Sequence, residues 1–142
     1  MRITAHQFSV FHQREEERFV GRVAACLVEH DLGGARSLSP EELRRRAGIA
    51  VARGRRHGFT WQSALTAFAA LCFALGPRFD EQPDFLVWLR WEYPDENTRV
   101  LMLSEGVPPS AWDEAHDAHD DHAWNGPFLT AEEQGAPGDH DT

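Results

Sequence analysis

Apolar positions in the first half of the chain recur every three to four residues, the period of a helix with one buried face. Phe8, Phe11, Phe19, Val20, Val23, Ala24, Leu27 and Val28 follow this spacing, with Arg14 to Arg18 as a charged interruption. The pattern predicts one long amphipathic helix over 5–30, opened by a capping box of Thr4 with Gln7 and ended by Gly33-Gly34. Ser39-Pro40-Glu41-Glu42 then supplies an N-cap, a proline at the first helical position and an acid at N3. The helix it opens carries Leu43, Ala47, Ile49, Ala50 and Val51 and stops at Gly58. A third helix spans Thr60 to Gly76. Its Ala64, Leu65, Phe68, Ala69, Leu71, Cys72, Phe73 and Leu75 leave almost no polar side, so it should be the central, buried one.

Beyond Gly76-Pro77 the pattern supports two templates. Phe85, Leu86, Trp88 and Leu89 fit a short helix capped by Asp84, whereas Phe85, Val87, Leu89, Trp91 and Tyr93 alternate as in a strand. The helix is favoured, because no second segment reads as a partner strand. Pro94-Asp95-Glu96 opens a further helix through Val100, Leu101 and Leu103 to Gly106, and Pro108-Pro109-Ser110 another through Trp112, Ala115 and His116. The expected fold is all-α: a small bundle of three main helices with shorter ones packed on it. A single domain over 1–124 would be followed by an acidic, flexible tail over 125–142.

Composition changes this picture little. Five Trp and nine Phe are generous for 142 residues, and large aromatics carry much of the energy of both cores and interfaces. Cys26 and Cys72 lie in apolar helical stretches and read as free buried thiols of a reducing cytoplasm. The start of the chain offers no signal-peptide pattern, and the longest apolar run, Ala67 to Leu75, is too short to span a bilayer.

Charge changes it more. Residues 1–78 carry 12 Arg against 7 acids and residues 79–142 carry 2 against 16, a division into +5 and −14 within the total of −9. Every basic residue other than histidine is arginine. Such asymmetry implies either a charged partner surface or contact between the two halves.

Three clusters invite a chemical reading. In Asp113 to His122, a helix would place His116, His119 and Asp120 on one face, a donor set that could take zinc, nickel or iron. The spacing is not that of a catalytic zinc helix, and the plainer reading is a solvated acidic segment; no metal or other cofactor is expected. Arg44-Arg45-Arg46 with Arg53, Arg55 and Arg56 could neutralise phosphates. The helix that follows presents no base-reading face and the acidic half would repel DNA, so no nucleic-acid partner is expected. This arginine stripe reads instead as solvated, paired with the chain's own acids, or facing an acidic partner. Cys26 and His30 stand four apart on one helix, yet Cys26 falls on the apolar side. With no nucleophile motif and no phosphate loop, the reading is against an enzyme.

Several positions resemble a family of small helical bacterial proteins encoded beside type VI secretion effector and spike-tip (PAAR) genes. They are Phe11, Arg18-Phe19-Val20, His30, Arg45 with Ile49, His57-Gly58-Phe59-Thr60, Gly76-Pro77-Arg78-Phe79-Asp80 and Trp88, spread over about residues 3–103. The resemblance implies a cytoplasmic accessory protein, adaptor- or chaperone-like, whose partner is a secreted effector, toxin or spike component. Phe85, Trp88, Trp91 and Tyr93 would be its aromatic anchors, although the same side chains also read as core. Arg45, Arg53 and Arg56 are further candidates for partner contact. An alternative is an immunity protein whose acidic surface (Asp113, Asp117, Asp120) covers the basic cleft of a toxin.

Overall fold

Gln62–Leu75 is the segment around which the others are arranged. In the computed structural model, which describes residues 4–91 and 95–125 and all their side chains but that of Phe8, this segment is helix α3 of a succession. Before it come α1 (Ala5–Glu29) and α2 (Pro40–Arg56); after it come α4 (Pro83–Leu89), α5 (Glu96–Glu105) and α6 (Pro109–Asp117). Short 3-10 turns, Leu32–Ser37, Phe79–Glu81 and Asp121–Asn125, connect or follow them. The described residues contain no strand, so the fold is all-α.

Local chemistry explains the boundaries. Thr4 and Gln7 cap each other reciprocally at the start of α1, at 2.9 and 3.1 Å. Ser39 Oγ accepts the Glu42 N–H at the start of α2, and Asp95 Oδ1 accepts that of Thr98 in α5. Helix α1 stops at Glu29, before its glycines. Gly33 holds φ at +56° and comes so close to α3 that a Cβ there would stand 2.0 Å from the Phe73 carbonyl oxygen. Only glycine fits that crossing.

Segment 84–93 resolves as helix as far as Leu89, because Pro83 at the helix start fixes φ and Phe85 and Leu89, one turn apart, enter the core together. Helix α3 buries Ala64, Leu65, Phe68, Ala69, Leu71, Cys72, Phe73 and Leu75. It packs against α2, α1, α5 and α6. Its own first turn has no side-chain cap. Glu96, at the start of α5, substitutes: its carboxylate accepts from Thr60 N, Thr60 Oγ1 and Trp61 N at 2.6–2.7 Å.

Contacts also fix the helix directions. Arg22 meets Gln62 at the start of α3 and Gly33 meets Phe73 near its end, so α1 and α3 run the same way. Ser63 donates to Asn97, and the later residues of α5 sit beside the later residues of α3, so α5 runs parallel as well. Helix α2 is antiparallel to α1, as Arg55 pairs with Glu16 while Arg44 lies over Gly21.

The core reaches past α6. Val107, Ala111 and Ala115 are buried, and Trp124 is 1% exposed against Phe73. The sequence reading of residues 125–142 as an acidic tail falls, Asn125 excepted, outside the described residues. No helix among the described residues is long and apolar enough to cross a membrane.

Candidate binding surfaces

The two differently charged halves of the chain meet at defined points. Arg45 forks onto Glu42, and donates across to the Trp124 carbonyl at 3.0 Å and to Asn125 Oδ1 at 3.2 Å. Arg46 also bonds Glu42, lies over the Trp124 ring and approaches Asp121 at 3.6 Å. Hydrogen bonds from Arg45 and Arg46 hold the Glu42 carboxyl at about 2, well below its ordinary 4.5. This part of the arginine stripe therefore pairs with the chain itself.

Arg53 is a correction to the sequence reading. Proposed for partner contact, it is 4% exposed and its Nε donates to Asp80 Oδ2 at 2.7 Å, with Nη2 reaching Glu81 at 2.9 Å. His57 Nε2 donates to the same Asp80 oxygen at 2.6 Å, and Arg78 pairs with Glu81. The cluster pins the α2–α3 turn to the 3-10 turn after α3. Its Asp80 Oδ1 is buried without a hydrogen-bond partner among the described residues. Arg53 sits between Ala50 and Gly54 on the buried side of α2, and those small neighbours were the signal in the sequence. Arg56, in contrast, is exposed.

The aromatic anchors divide. Phe85 is fully buried, edge-on to Phe79 and Trp112, and is a second correction: one turn before Leu89 on the inner face of α4, it holds the core and offers nothing outward. Trp88 is half-buried, its ring lying where any side chain at Gly106 would stand, and it meets Trp91 edge-on at 5.1 Å. Trp91 is 40% exposed. Tyr93 lies outside the described residues. Three apolar side chains that the sequence reading did not single out are more exposed still, Val87 at 66%, Leu101 at 51% and Trp61 at 46%.

On the acidic side, Asp113, Asp117 and Asp120 are all exposed. No group of three or more His, Cys, Asp or Glu among the described residues converges as a metal site would. Cys26 and Cys72 are free thiols, and burial, reinforced by the Asp80 charge, pushes the Cys72 thiol well above its ordinary value.

One concavity went unread in the sequence. A groove of about 280 Å³ runs along α3, floored by Ala67, Ala70 and Ala74 and walled by Leu32, Val100 and Trp112. The three alanines are only half-buried, although α3 reads as apolar on every side. Their spacing of three and four, with no large side chain among them, was the available signal. The chain matches no protein-family model, no curated protein and no solved structure.

Proposed function

We propose that this chain is a non-enzymatic, adaptor- or chaperone-like protein that binds another protein through its α4–α5 side. The observation that carries this reading is the exposure of Val87 on α4, of Leu101 on the adjacent α5 and of Trp91 just after α4, on helices whose opposite faces are core. Large apolar side chains left in solvent on neighbouring elements are candidates for a contact surface. The resemblance to proteins encoded beside type VI secretion genes makes an effector or its carrier the partner to try first, in the cytoplasm. Co-expression with the product of the neighbouring gene should yield a stable complex in which any toxin activity persists. Failure of the two proteins to co-purify would refute the reading.

The exposed Asp113, Asp117 and Asp120 favour a second reading, an immunity protein. It differs in outcome, because the complex would then be inactive and reversing these charges would restore toxicity.

A further inference from the structure

A second concavity, of about 510 Å³, opens between α6 and the turn after α3. Leu75, Pro77 and Phe79 line one side of it, and Ala115, Ala118 and Ala123 the other. The two sides are tied together. Gln82 donates to Glu114 across them at 2.9 Å. The His119 ring packs so closely on Gly76 that a Cβ there would stand 3.2 Å from it. The cleft is thus preformed, with an apolar floor and a few polar groups at its edge, as binding clefts commonly are.

Charge around this cleft is one-sided. Its own arginine, Arg78, shares Glu81 with Arg53, and Arg53 also holds Asp80, so two arginines meet two carboxylates. Beyond Ala123, Arg45 and Arg46 are matched in the same way by Glu42 and Asp121. Asp120 lines the cleft, Glu114 stands at its edge, and Asp84 and Asp117 are exposed on the helices that flank it. None of these four pairs with an arginine among the described residues. The mouth is therefore negative over an apolar floor. An anion would be repelled there, and a wholly apolar group would leave the carboxylates unanswered. Lysine and arginine side chains, aliphatic along the stem and charged at the tip, match both features.

We infer that the cleft between α6 and the turn after α3 takes a lysine or arginine side chain of the partner protein, its stem over Ala118 and Ala123 and its charge against Asp120. The inference rests on the proposed protein-binding function and adds a point of contact separate from Val87 and Leu101.

The test titrates the full chain, above neutral pH and at low salt, with a short peptide that carries one arginine between leucines. Imidazolium on His116, His119 or His122 would oppose the probe, hence the choice of pH. The peptide should shift the backbone amide resonances of Ala118, Asp120 and Ala123, and a lysine counterpart should do the same. Asp120→Asn, which keeps an oxygen for the His122 N–H, should weaken binding about threefold. Asp113→Asn removes an equal charge from α6 outside the cleft lining and should change it by less than about twofold. Ala118→Trp, at an exposed position, fills the cleft without altering charge and should abolish the response. If that variant loses its helical circular dichroism, the comparison of Asp120→Asn with Asp113→Asn decides. Equal binding of a peptide with leucine or glutamate in place of the arginine overturns the inference. So do an Asp113→Asn effect as large as that of Asp120→Asn, a response that survives in folded Ala118→Trp, and the absence of any response. The protein-binding function is judged separately, by co-purification with the product of the neighbouring gene, and stands or falls independently of these results.

Discussion

Asp80 shares one carboxylate oxygen between Arg53, 27 positions away, and His57, while its other oxygen has no partner among the described residues. Removing one member of a buried ion pair leaves an uncompensated charge, so Arg53→Ala should cost about 3–5 kcal/mol in urea unfolding. Arg53→Met combined with Asp80→Leu should cost much less, because no charge is left behind. Glu42 gives a pH-dependent counterpart. Its carboxyl is held below the ordinary value, so its contribution is complete above pH 4.5 and fades as pH falls toward about 2. The gap in melting temperature between the native chain and Glu42→Gln should therefore be widest near neutrality and close across that interval. A gap that widened on acidification would contradict the pairing with Arg45 and Arg46. At this scale the sequence was least informative. Arg53 stands in a run with Arg55 and Arg56, and Phe85 in a run with Trp88 and Trp91; residue type alone does not mark the buried member of either run, and only the small neighbours Ala50 and Gly54 hint at Arg53. That distinction comes from the face each helix turns to the core.

The elements themselves were largely legible, because caps and periodicity act locally. Thr4 and Ser39 cap the helices they were expected to open, Asp95 caps α5, and α3 is buried as its composition requires, whereas Asp84, expected to cap α4, lies inside that helix, which starts at Pro83 without a side-chain cap. What local chemistry could not reveal is that α3 begins without a cap of its own and relies on Glu96, 35 positions ahead of Trp61. Burial alone would raise the Glu96 carboxyl, but the N–H groups of Trp61 and Thr60 and the Thr60 hydroxyl prevail and lower it. Glu96→Ala strands these donors at a helix start, and a loss of about 1–3 kcal/mol is expected. Hydrogen exchange should then quicken at Thr60 and Trp61 and through α5, while α1 and α2 stay unchanged. Equal acceleration everywhere would show that Glu96 is not a local tie. The glycine crossing is similarly concealed. Gly33 looks like half of a helix stop, yet its real constraint is the Phe73 carbonyl on another helix.

Across the described residues, part of the uneven charge is met by internal contact, with arginines of α2 holding the Asp121–Asn125 turn and the turn after α3. Salt should weaken the exposed Arg46–Asp121 approach, but the buried Trp124 ring does not depend on ionic strength. Cleavage after Glu114 by a glutamate-specific protease should thus remain equally slow at low and high salt. Trp124→Ala should destabilise the chain by about 3–5 kcal/mol and make that site labile. Fast cleavage in high salt alone would mean that charge, and not the ring, keeps the segment in place. The same ring has a bearing on synthesis. Translation proceeds from the N-terminus, and Arg45 waits 79 residues for the carbonyl it will bind. Until the ribosome has released Trp124, the nascent chain holds Phe73 uncovered, so its oiliest helix emerges long before its lid and is open to chaperone capture in the interval.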